Sequence, residues 1–354
     1  MNTAPAKRRN VIAALIAFAA VAAASAVGLI RSRQQAPEPP AAELKQYSFA
    51  FGTMGTRAGC AFYAADEQTA RAGFAAVTRE FDRVTQACNL HDENSELARL
   101  NREAGRDFFV CSELLWNVLS EARRAHRASS GAFDVTIKPL MDLWGFYRKR
   151  KRAPSPAEIA ATLERVGFDK LEWDDARRAV RFKVPGMALD LGGVAKGYAL
   201  DLAAAAVKKL GIKSGVIDLG GNLYLLPEPP PGKTHYRIGV KSPSGRGDSG
   251  TVLELPGNCA VSTSGSYERF VVLDGRRCGH VVDPATGAAP YLNRSATAVA
   301  PTGVESDWLS SAAFLRGEKL IPQLENFVPG AKIFFTDASA DQKSCRPVTE
   351  KSMN

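Results

Sequence analysis

An α+β fold, a mixed β-sheet core with flanking helices, is what this sequence predicts, on three observations. Long segments carry apolar residues at three- and four-residue spacing. Shorter apolar runs are bounded by Gly, Pro, Asn and Asp. The two kinds of segment do not alternate strictly, which argues against a chain of βαβ units. Apolar residues make up 45% of the 354 and charged residues 23%, so a packed core is expected.

In chain order, residues 11–30 are apolar and uncharged and follow Lys7, Arg8 and Arg9. That length spans a bilayer, and the positive flank predicts a cytoplasmic N-terminus. Ala24-Ser25-Ala26 also offers a signal-peptide cleavage site, which is the competing reading. Either way the globular part is exported. Residues 1–30 are therefore expected to be an N-terminal tail plus transmembrane anchor or signal peptide. Residues 31–46, with Pro37, Pro39 and Pro40, are expected to be a linker. The domain is expected over 47–340, with a loosely ordered tail at 341–354.

Within the domain, 47–64 reads as a first strand pair around Gly52 and Gly55. Ala70, Phe74, Val77, Phe81 and Val84 predict a helix over 67–88. A second helix is expected from Ser112, a plausible N-cap, to Gly131. A third starts at Ser155, with Pro156 in the first position and Glu158 completing a capping box, and stops at Gly167. Residues 170–184 read as a hairpin around Asp174-Asp175. Ala188–Leu191 read as a short buried strand, leading through Gly192 and Gly193 into a helix near Lys196. Two strands flank Gly220-Gly221 within 215–226. Short strands follow at 235–241, 251–255 and 259–263, then a hairpin over 268–282 on Asp274-Gly275. A strand at 296–300, a helix at 306–316 stopped by Gly317 and a strand at 331–336 complete the pattern.

The net charge is +9, part of it in the run Arg148–Arg152. No nucleic-acid-binding motif accompanies that run, and no aromatics interleave it, so nucleic acid is not expected as a partner. Cys60, Cys88, Cys111, Cys259, Cys278 and Cys345 contain no C-x-x-C pair, which argues against a zinc or thioredoxin-like site. Disulfides are permitted in an exported chain, but most of these cysteines read as small buried residues.

The stretch ALDLGGVAKGYALD, 188–201, organises the chemistry. Gly192 and Gly193 let backbone N–H groups approach a ligand, and the helix start adds positive partial charge. Lys196 adds a full charge there. That suits a phosphate, although a plain strand-to-helix turn is the alternative. Asp307 and Ser311 stand four apart on one helix face, and a carboxylate with a hydroxyl suits Mg²⁺. A helix N-terminus with an acidic first turn is the commoner explanation of such a segment. Ser262, Thr263 and Ser264 form a hydroxyl-rich turn, DLGGN at 218–222 a second close-approach loop, and HVVDPATG at 280–287 delivers His280. Asp134, in the run 131–146, reads as a cap or a ligand contact.

The ordered set MGT (54–56), NSELARLN (94–101), GAFDVTIKPLMDLWGF (131–146), LDLGGVAKGYALD (189–201), GVIDLGGNLY (215–224), VSTSGSYERF (261–270), GHVVDPATG (279–287) and SDWLSSAAF (306–314) resembles the FAD:protein FMN transferases, the ApbE-type flavin transferases. The resemblance implies an ApbE-like, T-fold-related architecture. It implies an Mg²⁺-dependent enzyme that transfers FMN from FAD to a Thr or Ser hydroxyl of an exported protein and releases AMP. The metal would be held by Asp307, Ser311 and the Ala195 carbonyl. Lys196, Ser262, Thr263, Ser264 and His280 would line the FAD pyrophosphate and reaction centre. Gly192, Gly193, Asp190, Glu96 and His91 would belong to the FAD site. His280 is the expected base, acting with Lys196 and Asp307. His91 stands where many members have a flavin-stacking tyrosine, and Ser266 where an aspartate is common. The implied partner is an exported flavin-bearing subunit of an electron-transfer complex, and the implied location the bacterial inner membrane with the catalytic domain in the periplasm. A soluble periplasmic form would follow signal cleavage. An FAD pyrophosphatase and a non-catalytic membrane-tethered FAD carrier are the alternative functions.

Overall fold

The structure, a computed structural model, describes residues 43–243 and 248–337. The apolar run 11–30, Cys345 and the tail 341–354 lie outside the described residues, as does nearly all of the linker 31–46. Among the described residues no helix is long and apolar enough to cross a membrane.

Strands β1 (Lys45–Thr53) and β2 (Thr56–Ala64) form a hairpin on Met54-Gly55. Both turn residues have positive φ, 48° and 69°, as a two-residue loop that follows the strand twist requires. Helix α1 (Glu67–Cys88) spans the predicted range, with Asp66 accepting from Thr69 N as its cap. Its apolar stripe buries Val77, Phe81 and Val84, while Phe74 stacks on Phe49 at 4.7 Å. Helix α2 (Glu96–Glu103) is capped by Ser95. It was not foreseen, because eight residues are too few to establish a period. Strand β3 (Phe109–Val110) precedes α3 (Glu113–Ala128), which starts from the predicted Ser112 cap but ends three residues before Gly131.

The short α4 (Lys138–Leu143) follows, and then α5 (Pro156–Leu163) with the predicted Ser155–Glu158 capping box. Strands β4 (Leu171–Asp174) and β5 (Ala179–Phe182) make the expected hairpin, and β3 joins β5. Ala188–Leu191, expected as a strand, joins no sheet. The side-chain amide of Asn101 pairs with Leu189 instead, donating to its carbonyl at 3.0 Å and accepting from its N–H at 2.7 Å. Asp190 N donates to Val135 O. The backbone is thus satisfied without a ladder.

Helix α6 (Ala195–Lys209) leads to β6 (Ser214–Leu219) and β7 (Asn222–Leu225). Strands β8 (Tyr236–Lys241) and β9 (Asp248–Leu255) form a hairpin before β10 (Cys259–Gly265). A second hairpin, β11 (Phe270–Leu273) and β12 (Arg276–Gly279), precedes β13 (Arg294–Ala300). Helix α7 (Gly303–Arg316), α8 (Ile321–Phe327) and β14 (Lys332–Asp337) complete the described chain.

The main sheet has seven strands in the order β1-β2-β6-β7-β10-β13-β14, each antiparallel to its neighbour. The α+β reading therefore holds. Helices α1, α6 and α7 cover one face around fully buried Phe62, Phe81, Trp308 and Phe314. Burying side chains of this size contributes roughly 2–3 kcal/mol each. The β8–β9 hairpin lies over the other face with Leu225, Val261 and Val299.

Register decides where the loops emerge. Ala58 pairs with Leu219, Leu219 with Asn222, and Leu223 with Val261. The turns at 54–55 and 220–221 and the C-terminal end of β10 therefore meet at one end of the sheet.

Candidate active site

That end of the sheet opens into a cavity of about 1050 Å³. Ligand sites commonly span about 300–1,000 Å³, so this one admits a dinucleotide. Its wall includes Met54, Gly192, Gly193, Lys196, Asp218, His280, Asp307 and Ser311.

One wall is made by α6 and α7, whose N-termini cap each other. No side chain of α6's own N-cap residue, Val194, caps that helix. Asp307 of α7 accepts from Gly197 N at 3.0 Å in its place. In return Asp201 of α6 accepts from Gly303 N at 2.6 Å and Val304 N at 2.9 Å, at the start of α7. Both carboxylates sit at positive helix ends. Burial, with Glu305 and Glu121 nearby, pushes the Asp201 carboxyl up to about 7, against those two hydrogen bonds. The helices meet at Gly197 and Gly303, where a Cβ on either would collide with the carbonyl oxygen of the other.

Helix α7 is also laced to β10 by hydroxyls. Ser262 meets Ser306 at 2.8 Å, and Ser264 meets Ser310 at 2.9 Å and Ser311 at 3.0 Å. The two periods match. Two strand residues advance about 6.7 Å and four helix residues about 6 Å, so alternate serines of β10 face successive turns of α7. On the opposite face of β10, Thr263 pairs with Thr297 of β13 at 2.9 Å.

The other wall carries His280 and Arg269, which flank the β11–β12 hairpin. His280 Nδ1 lies 3.0 Å from the Arg269 carbonyl. A carbonyl accepts only, so Nδ1 carries the proton and Nε2 is left as an acceptor. Burial, with the positive charges of Arg269 and Lys196 nearby, lowers the imidazole to about 4, so it is neutral near pH 7. Tyr147 lines the cavity between the cations of Lys138 and Arg269, at 5.2 and 5.1 Å from its ring.

The structure brings His280, Lys196, Asp307, Gly192, Gly193, Asp190, Thr263, Ser264, His91, Ala195 and Ser311 to this one cavity. Ser262 and Glu96, expected at the FAD site, are not among the residues of its wall. Ser262 is fully buried against Ser306, and both oxygens of Glu96 are taken by the N–H and hydroxyl of Ser112 at the start of α3. Asp190 is on the wall but already accepts from Tyr147 Oη and Gly192 N, so it shapes the loop. Asp134 caps a turn through Thr136. His91 is exposed, and its ring meets Tyr147 edge-on at 5.1 Å.

Sequence reasoning passed over Tyr147, Arg269, Asp218 and Asn222 as site residues. Asn222 had a readable signal, the asparagine closing DLGGN. Asn222 is one of the residues that line the cavity, it is nearly buried, and its Nδ2 is shut off from solvent with no partner among the described residues. An orphaned donor on a cavity wall fits a ligand that brings an acceptor.

The donor chemistry fits a hard cation. Asp307 Oδ1 has no hydrogen-bond partner among the described residues, and the Ser311 hydroxyl one turn on is shared only with Ser264. Among the described residues no group of three His, Cys, Asp or Glu stands ready for a metal. A cation here would therefore complete its shell with water and ligand oxygens, as Mg²⁺ does.

The model of the ApbE family matches residues 54–335. The chain is 31% identical to an FAD:protein FMN transferase of Klebsiella pneumoniae, over 75% of this chain and 78% of that one. It is 29% identical to a Treponema pallidum protein of the same description, over 83% and 85%. Among solved structures, it is similar to the ApbE protein of Thermotoga maritima, with TM-score 0.72, 30% identity and coverage of 82% and 94%. The apo flavinyl transferase ApbE of Pseudomonas stutzeri gives TM-score 0.72 at 26% identity, covering 84% and 93%.

Proposed function

The chain belongs to the ApbE family, and we infer from that membership and from its cavity that it is a transferase moving FMN from FAD onto a protein. The observation that carries the finer reading is the convergence on one cavity of Asp307, Ser311, Lys196 and His280 from distant parts of the chain.

In this reading the acceptor is a Thr or Ser hydroxyl. Its oxygen attacks the phosphorus of the FMN half of FAD. The new P–O bond forms as the bond to the AMP phosphate breaks, and AMP leaves. Phosphoryl transfer of this kind asks the protein mainly for positioning and charge. Asp307, Ser311 and the Ala195 carbonyl would hold Mg²⁺, which neutralises charge on the pyrophosphate. Lys196 and the Gly192-Gly193 backbone orient the phosphates at the start of α6. Asn222 Nδ2 donates a further hydrogen bond. The neutral Nε2 of His280 takes the hydroxyl proton, which suits a base already unprotonated at neutral pH. His91, beside Tyr147, is the nearest candidate for the flavin edge.

In this reading the apolar segment 11–30 supports a domain on the outer side of a bacterial inner membrane, as an anchored form or, after cleavage, a soluble periplasmic one. The acceptor is then an exported subunit of an electron-transfer complex.

The test incubates the full chain with FAD, Mg²⁺ and an exported flavoprotein domain bearing a candidate acceptor threonine. The expected result is an intact-mass gain equal to FMN with matching AMP, lost with EDTA and in Asp307→Ala. AMP without an adduct would replace transfer with FAD hydrolysis. FAD binding without either product would leave a carrier.

A further inference from the structure

Four exposed cations stand on segments that adjoin the cavity-lining residues Tyr147, Arg269 and His280: Arg148, Lys149 and Lys151 on the loop after α4, and Arg277 on β12. None of them pairs with a carboxylate among the described residues. Arg150 and Arg152 of the same run are taken up by Glu158. A basic loop is ordinarily just a solvated one, but this loop is held in place at both ends. Arg269 Nη2 donates to Phe146 O at 3.0 Å, and Ala153 N donates to Asp274 Oδ2 at the hairpin tip at 2.9 Å. Loop and hairpin therefore form one platform.

The hairpin adds an apolar face. Phe270 and Val272 are 38% and 57% exposed. Val272 is paired with Arg277 in register and Phe270 with Gly279, so all of these share the outward side. The inward side, with Leu273 and Cys278, packs on Met141 and Trp144. An aromatic, an aliphatic and an arginine side by side resemble the core of a protein interface more than a solvated surface. The platform is also continuous with the cavity. Arg269 and His280 flank the two strands, Tyr147 precedes the loop, and all three line the wall.

We propose that loop 148–152 and hairpin β11–β12 are the docking surface for the protein that receives FMN, and that this partner presents an acidic face there. The proposal rests on the transfer reading above and adds the partner's chemistry to it. Carboxylates would meet the unpaired cations, while apolar contacts to Phe270 and Val272 fix the pose. Charge of this kind raises the encounter rate and selects partners, and it is screened over about 8 Å at physiological salt. A second copy of this chain is disfavoured, since it would bring like charge.

The experiment measures binding, so its outcome is independent of turnover. Two fluorescent peptides share a central threonine and differ in their flanks, Asp and Glu in one, Asn and Gln in the other. Fluorescence anisotropy follows each with the full chain in detergent at low and high salt. The acidic peptide is expected to bind about tenfold more tightly, chiefly through a faster on-rate. The preference should vanish at high salt and in the triple variant R148E/K149E/K151E, while FAD binding by that variant, read by flavin fluorescence, stays unchanged. Equal binding of the two peptides, or a preference that survives the triple variant, overturns the proposal. So does loss in the triple variant of sedimentation with phosphatidylglycerol vesicles but not of peptide discrimination, which would make the surface a membrane contact. Failure here leaves mass gain and AMP release intact, whereas failure of the transfer reading removes those and not the peptide preference.

Discussion

On one side of the cavity α6 and α7 press backbone to backbone at Gly197 and Gly303, cap each other through Asp201 and Asp307, and are laced to β10 by serines. On the other, β11–β12 and loop 148–152 pack inward through Leu273 and Cys278 and hold Arg150 and Arg152 on Glu158, while exposing Phe270, Val272 and cations without a carboxylate partner among the described residues. The first region is over-determined, since glycine contact, reciprocal carboxylate caps and serine pairs all hold the same two helices, while Asp307 Oδ1 stays without a partner among the described residues. The second offers exposed side chains tied to one another instead of to the core, as Arg277 is to Phe270 and to the Tyr291 hydroxyl. Placing a phosphate or a cation needs sub-ångström control, whereas meeting a partner needs surface left uncommitted.

Substitutions sharpen this contrast. Asp307→Asn keeps an acceptor for Gly197 N but loses the charge, and we expect transfer to fall at least about 10³-fold; AMP release and intact mass measure it. His280→Gln is expected to lower the rate about 10²-fold or more. The imidazole sits at about 4 when folded against an ordinary value of 6.5. The folded chain therefore binds fewer protons than the unfolded one between those values. Stability is expected to rise with pH across that window and to be lost as pH falls through it, and His280→Gln should flatten the dependence of the urea midpoint. The acid limb of kcat/KM should likewise lie well below pH 6.5. Gly197→Ala drives a methyl into the Gly303 carbonyl and is expected to cost about 1–3 kcal/mol, visible as a lowered Tm. Ser264→Ala removes the link to Ser310 and Ser311 for about 1 kcal/mol. Val272→Ala on the rim should change stability by less than about 0.5 kcal/mol. A rim change as costly as Gly197→Ala would erase the distinction.

Legibility in the sequence follows the same division. Helix α1 was readable because 22 residues give a period time to repeat, and the Ser155–Glu158 box because its atoms are local. Lys196, Asp307 and His280 were readable as chemistry, each in a motif. Ala188–Leu191 misled, since its partner is an amide 88 residues away. The Ser262 hydroxyl and the Glu96 carboxylate looked available for the same reason: nothing local shows that Ser306 and Ser112 already hold them. Tyr147 was invisible as a site residue because its place depends on Lys138 and Arg269 flanking its ring.

The cysteines carry a practical consequence. Cys60, Cys88, Cys111, Cys259 and Cys278 are all free, and burial raises each thiol, to about 12 for the first three. Since only a thiolate attacks an alkylating reagent, these five are poor targets at neutral pH. Once Cys345 is replaced by serine, a cysteine introduced at Val272 becomes the selective address for a maleimide dye. The arrival of any macromolecule at the cavity mouth can then be watched optically, without touching the chemistry inside.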